Sequence, residues 1–477
     1  MKQLSRRKLL TTFGVAASTV LLNNCTSKSL ATDPFQLISS STISNIPEVQ
    51  SVRLGIIPSI EVAPLLVAKY KKLFAKYGMT DVELVPFKSW QAICDRTQLG
   101  TQLGPSNDGI DGGHFYSPLP EMLNEGMIDQ HNGKVGKAGK TAMYVLMRLH
   151  THGGYIVASK RLKPFKIQLQ RTSFSPLQDV AKLFGNPMNC AIAETGSNYD
   201  LWLRYWLAAM DIVPKQDIDI LAIPLDEIVT QIKQNRADLL CLDSWRTLKL
   251  IEANLADPAI ATQEIWRNHP GEILAMRADW VDKYPISTQA LIQGIMEAQI
   301  WCDNPANARE LNNLLAFSFT DSTNLISEPV KIFSQLFKNS PTQKTGIPSV
   351  NNSPISSVID SVINSPISSP ISSAISSAIK YWSNDGISVS YPYKSHDLWF
   401  MTEYQRWGLL PDSFETKEII DAVNREDLWK NAAKAIGVPD TNIPMSTSRG
   451  IETFFDGSNF DPNNPQQYLS NHLSRLK

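Results

Sequence analysis

Val52-Arg53-Leu54-Gly55-Ile56-Ile57-Pro58 decides the fold class. It reads as a buried strand, and a helical pattern over about Ala63–Tyr77 follows it. Val82-Glu83-Leu84-Val85-Pro86-Phe87 then reads as a second strand. Strand and helix alternating at this spacing predict an α/β fold with a mainly parallel sheet. A second series begins near Gly153. It has strands at Asn189–Ala193, Ile218–Ile223 and Ala237–Leu242, with helices at about Asn198–Met210 and Asp226–Asn235. After Trp245 the pattern is mainly helical, as in Ser287–Cys302 and Lys417–Ala435. Two α/β lobes are expected, with a ligand in the crevice outside the strand ends. Residues 51–152 begin lobe 1, 153–245 form lobe 2, and 246–477 return to lobe 1 and add a helical C-terminal region.

One stretch is expected to lie outside both lobes. Within a low-complexity insertion at about 340–380, isoleucines recur every four residues from Ile355 to Ile379, between Ser-rich spacers. Pro354, Pro366 and Pro370 forbid a continuous helix before about Ile371.

The N-terminus reads as an export signal. Ser5-Arg6-Arg7-Lys8 precedes an apolar run from Leu9 to Leu22, too short to span a bilayer, which needs about 20 residues. The paired arginines suggest the twin-arginine route. Cys25 ends the run like a lipobox cysteine, although Asn24 stands where Gly or Ala is usual. Lipidation of Cys25 would tether the chain to the outer face of the inner membrane, with the polar segment 26–50 as spacer. The other four cysteines, Cys94, Cys190, Cys241 and Cys302, form no C-x-x-C pair and sit in apolar settings, as buried free thiols do.

Composition closes off several function classes. The 477 residues are 43% hydrophobic and 19% charged, with a net charge of −1. The first 24 residues hold four basic groups and no acid, so the remainder is more acidic still. Such a body has no basic field for nucleic acid. An anionic ligand would need a preorganised local site. The stretch Gly133–Thr141 misses the phosphate-loop spacing by one residue, and neither G-x-S-x-G nor H-E-x-x-H occurs. His150 and His152 stand two apart, a spacing for a strand or loop. The glycine-dense segment Gly104–His114 either wraps a ligand or makes a turn. Glu194-Thr195-Gly196-Ser197-Asn198-Tyr199-Asp200 runs from strand to helix, where free amides favour an anion and Ser197 or Asn198 serves equally as the cap.

Longer strings carry a resemblance. Tyr205-Trp206-Leu207-Ala208-Ala209, Met276–Asp282, Tyr391-Pro392-Tyr393-Lys394-Ser395-His396-Asp397, Val423–Trp429 and Ser448–Gly457 resemble the cyanobacterial nitrate- and bicarbonate-binding lipoproteins of ABC importers. The likeness runs from about Val52 to the C-terminus, apart from the isoleucine repeat and the Lys134–Lys140 loop. It implies a two-lobed, C-clamp periplasmic-binding fold of type II, with mixed, mainly parallel sheets and flanking helices. The expected protein is a monomer without organic cofactor or catalysis, delivering a small inorganic anion to a permease and ATPase.

The resemblance also names a ligand set. Trp90 matches a tryptophan that covers the anion, and Asp243 replaces a glutamate. Gly154, with Tyr155 beside it, stands where the family has a glutamine. Tyr199 replaces a histidine and Asn198 a threonine. Glu272 stands where bicarbonate-binding members have glutamate and nitrate-binding members lysine. A carboxylate beside nitrate is repulsive without compensation, whereas bicarbonate can donate its O–H to one. Glu272 therefore favours bicarbonate, with nitrate or nitrite as the alternative. In the bicarbonate members calcium accompanies the ligand, which makes Asp243 and Glu272 its candidate ligands here. Two other readings are a carboxylate-pair enzyme and a ligand sensor of the same fold.

Overall fold

The computed structural model describes residues 46–101, 108–128, 139–165, 167, 169, 188–214, 217–319 and 379–473. All lie within one unit, Ile38–Lys477. The signal sequence with Cys25, most of the spacer, Gly104–Asn107 of the glycine-dense loop, Gly133–Ala138 and the isoleucine repeat as far as Ala378 lie outside the described residues.

Two five-stranded sheets of matching order carry the fold. In the first, β1 (Ser51–Ile56) pairs in parallel with β2 (Asp81–Pro86) and β3 (Gly112–Phe115). In the second, β6 (Asn189–Ile192) pairs in parallel with β7 (Asp219–Ala222) and β8 (Leu239–Asp243). The remaining four strands are β4 (Met143–Arg148), β5 (Gly154–Ser159), β9 (Ala256–Ala261) and β10 (Ile273–Arg277). The orders are β2-β1-β3-β10-β4 and β7-β6-β8-β5-β9, with β10 and β5 the antiparallel members. Parallel strands buried on both faces need the unbroken apolar runs that the sequence supplies, and Leu54, Ile56, Leu239 and Leu240 are all wholly buried.

The chain crosses between the sheets twice, at Leu149–Gly153 and at Thr262–Glu272. This corrects the expected return at residue 246. β9 still pairs with β5, because the edge of the second sheet needs one more strand after the helix Ser244–Glu252. The described structure resumes at the last residues of the expected insertion. Ile379 is buried, and Lys380 bridges Thr151 on the first crossover, because an apolar side chain next to that crossover gains by leaving water.

The C-terminal region braces both halves. Trp399, on the helix Lys394–Arg406, stacks on Trp202 with ring centroids 5.0 Å apart and also meets Trp266 at 5.0 Å. Each such aromatic pair adds about 1 kcal/mol beyond the area it buries. Trp202 belongs to the helix Asn198–Ala209 of the second lobe, and Trp266 to the second crossover, so this cluster ties the C-terminal region to both. Cys94, Cys190, Cys241 and Cys302 are buried free thiols. Among the described residues no helix is long and apolar enough to cross a membrane.

Candidate ligand-binding site

The carboxyl ends of the parallel strands and the two crossovers converge on one buried polar region. The first lobe supplies Glu61, in the turn after β1, together with Trp90 and His114. Trp90 opens the helix Trp90–Leu99, whose first turn is fixed by Ser89 Oγ accepting from the Ala92 amide at 3.2 Å. Its ring meets His114, near the end of β3, at 5.9 Å and Tyr116 at 5.4 Å. The second lobe supplies Gly154, Asn198, Tyr199, Asp243 and Arg246. The crossovers add His150, Gly153 and Glu272.

Buried polar atoms without a protein partner mark where a ligand belongs, since a protein rarely leaves such atoms unsatisfied. Here they include Trp90 Nε1, His114 Nε2, Asn198 Oδ1, Arg246 Nε and both carboxyl oxygens of Glu61. The His114 tautomer follows from its other nitrogen. Nδ1 accepts from the Ile57 amide at 3.1 Å, so in the neutral ring Nε2 carries the hydrogen. The ring stays neutral, for burial above all pulls its pKa down to about 4, aided by His150 and Arg246 and opposed by Glu272. Trp90 and His114 thus present two N–H donors with no acceptor.

The acidic groups differ from one another. Asp243 caps the helix Ser244–Glu252: its Oδ1 accepts from the Arg246 amide at 2.9 Å and its Oδ2 from Arg246 Nη1 at 2.5 Å. Glu272 Oε2 lies against His150 Nε2. Burial is the largest influence on Glu272 and pushes its pKa up. The charge and hydrogen bond of His150 outweigh it and hold the carboxyl below its ordinary range. Glu61 has no such partner, and burial, then Asp243 and Glu272, raise its pKa well above the usual carboxyl range.

The expected site residues are mostly brought together. A Cβ on Gly154 would stand 3.0 Å from Tyr199 Cε1 and 2.8 Å from Thr262 Cγ2, so glycine lets the Tyr199 ring lie against β5. Tyr199 is buried in turn, and burial above all, with Glu272 and Asp243 nearby, raises its phenol pKa well above the ordinary value. Tyr155 is the exception and a correction. Side chains alternate along a strand, and Tyr155 packs on the opposite face of β5 with Val157, Leu240 and Leu242. In the Glu194–Asp200 segment Ser197 is the cap, accepting from the Asp200 amide at 3.3 Å. Asn198 and Tyr199 form the first turn behind it.

Glu61, His114, His150 and Arg246 escaped the sequence reading as ligand-facing groups. A lone acid in the apolar run Ile60–Pro64 was the available signal for Glu61, and His114 closes the glycine-dense loop. Calcium does not fit the two carboxylates named for it, because Asp243 is committed to Arg246 and Glu272 to His150. Among the described residues no group of three or more His, Cys, Asp or Glu is placed to hold a metal.

Two lobes joined by two crossovers, with unpartnered donors near the strand ends, define the fold of the periplasmic solute-binding proteins. The NMT1-like family matches residues 45–316. The chain is 39% identical to the nitrate/nitrite binding protein NrtA of Synechococcus elongatus, over 98% of each chain. It is 36% identical to the bicarbonate-binding protein CmpA of the same organism, over 98% of this chain and 97% of that one. The crystal structure of the periplasmic nitrate-binding protein NrtA from Synechocystis PCC 6803 superposes with a TM-score of 0.71 at 36% identity, covering 89% of this chain and 99% of that one. The chain belongs to the NMT1-like family and, within it, to the group of cyanobacterial nitrate- and bicarbonate-binding proteins.

Proposed function

We propose that this protein is the substrate-binding component of an ABC-type importer and captures a small inorganic oxyanion of the nitrate, nitrite and bicarbonate class. One observation carries the reading: Trp90 Nε1–H and the Nε2–H of neutral His114, on rings 5.9 Å apart, are buried with no protein acceptor. An oxyanion supplies acceptors to both and receives donors in place of its lost water. The ligand would contact Trp90, Asn198 and Tyr199 as well as His114, with Gly154 leaving the space. Asp243 and Glu272 act one step back, orienting Arg246 and His150. Closure of the lobes about the two crossovers excludes water, and the closed form is the one offered to a permease and its ATPase. No nucleophile or cofactor site enters this function, so it is binding without turnover. Export through the twin-arginine route and lipid attachment at Cys25 complete the proposal, placing the protein at the periplasmic face of the inner membrane.

Bicarbonate is the favoured ligand, since a site with carboxyl groups in and behind it suits an anion that can donate a hydrogen bond. Nitrate or nitrite is the second reading, favoured by the commitment of Glu272 to His150, which removes much of its repulsion for an anion without a proton. Isothermal titration of the purified protein with bicarbonate, nitrate and nitrite tests both. Saturable binding of one of them is expected, and heats no larger than dilution for all three would remove the function.

A further inference from the structure

Glu61 is the group the site leaves least explained. Its side chain is fully buried in the turn Ile60–Val62, and its carboxyl oxygens make no hydrogen bond of good geometry, with only the Ser59 hydroxyl and the residue's own amide close by. Oε1 stands 3.2 Å from where a Cβ on Gly153 would be, and Ile379 Cδ1 stands 3.1 Å from the same point, so the crossover packs tightly over this carboxyl at a glycine whose φ is +94°. The charged and titratable groups around it are Asp243, Glu272, Tyr199, Tyr381 and Arg246. Arg246 Nη1 is taken by Asp243, and Glu272 is held by His150. Each neighbouring carboxylate therefore has a basic partner and Glu61 has none. A buried carboxylate beside two others, with no cation of its own, is costly, and burial therefore favours the protonated form. The nearby Ser59 hydroxyl opposes this without reversing it.

A protonated carboxyl offers an O–H donor and a C=O acceptor side by side in one plane. Nitrate and nitrite present acceptors only, so the C=O would face another lone pair. Bicarbonate is planar and carries an O–H next to a bare oxygen. Its edge meets a carboxylic acid in a closed ring of two hydrogen bonds, each group donating once and accepting once. We propose that Glu61 is a specificity-determining residue that receives the hydrogen-bearing edge of bicarbonate as a neutral acid, and so separates bicarbonate from nitrate. This rests on the oxyanion-binding reading above.

The test is titration of the full chain with bicarbonate and with nitrate near neutral pH, for wild type, Glu61→Met and Glu61→Gln. Methionine removes donor and acceptor at similar volume, and should weaken bicarbonate by ~10–100-fold while changing nitrate by less than ~3-fold. The glutamine amide also donates and accepts, and should keep bicarbonate within ~5-fold of wild type. A Glu61→Met protein that binds bicarbonate like wild type overturns the assignment, and so does equal weakening of both anions. If the methionine variant does not fold, Glu61→Gln decides alone: loss of bicarbonate in it overturns the two-point contact. A wild type that takes nitrate and ignores bicarbonate overturns the role of Glu61 and leaves the oxyanion reading standing. A wild type that binds neither removes both.

Discussion

Glu272 Oε2 lies against His150 Nε2, and the amide of Glu272 points at the same ring nitrogen from 3.1 Å. The pair joins the two crossovers, since His150 belongs to the first and Glu272 ends the second. His150 Nδ1 meets the His152 carbonyl at 3.2 Å, and the ring rests on Gly271, where a Cβ would fall 2.3 Å from it. The residue that the sequence offers for separating bicarbonate from nitrate thus also ties the two crossovers together.

Replacing His150 with leucine leaves Glu272 buried without its partner. Breaking a buried pair in this way costs ~3 kcal/mol at neutral pH. Because the pair depresses the Glu272 pKa, its contribution is present above the ordinary carboxyl value of 4.5 and is lost as pH falls through the lower, folded value. Urea denaturation should show a difference between wild type and His150→Leu that narrows in acid. A constant difference across pH would sink the assignment.

Gly154→Ala should disturb binding more than folding. The new Cβ meets Tyr199 Cε1 at 3.0 Å and Thr262 Cγ2 at 2.8 Å, and the phenol ring is free to shift where the strand is not. Overpacking of this kind costs ~1–3 kcal/mol in stability, and the displaced ring should weaken anion binding by ~10-fold or more. Titration calorimetry beside a thermal melt reads both. Unchanged affinity would mean that Tyr199 does not shape the site.

Glu194 ties the lobes together near Trp90. It accepts from the Tyr116 hydroxyl at 3.3 Å and from the Trp90 amide, yet burial raises its pKa from 4.5 to about 7. An acid whose folded pKa is raised binds more protons folded than unfolded across that interval, so stability falls as pH rises from 4.5 to about 7 and then levels. The full effect is on the order of 3 kcal/mol. Glu194→Gln should flatten this part of the stability profile measured by denaturant titration, and an unaltered slope there would show that Glu194 titrates normally.

The strands and their helices were legible because burial on both faces writes itself as unbroken apolar runs. The sequence reading placed β1, β2 and the β6–β8 series within a residue or two. It stopped the second lobe early because Ala256–Ala261, with Asp257 and Pro258, lacks the β-branched run of a central strand, and only pairing with β5 makes it one. Tyr155 was misplaced because adjacency to Gly154 does not say which face a side chain takes. Glu61, His114 and Arg246 lie far apart along the chain. Nothing local distinguishes a ligand-facing acid or histidine from an exposed one.

By itself the sequence determined the fold class, the two strand-and-helix series and the kin of this protein, since these depend on periodicity and long strings of residues. Tertiary structure alone decided which polar groups lost their partners. Whether Glu272 is free or clamped, which nitrogen of His114 carries the hydrogen and whether Glu61 keeps its proton all depend on burial and on neighbours from other elements. Desolvation and charge act through space, and the order of residues along the chain does not record them.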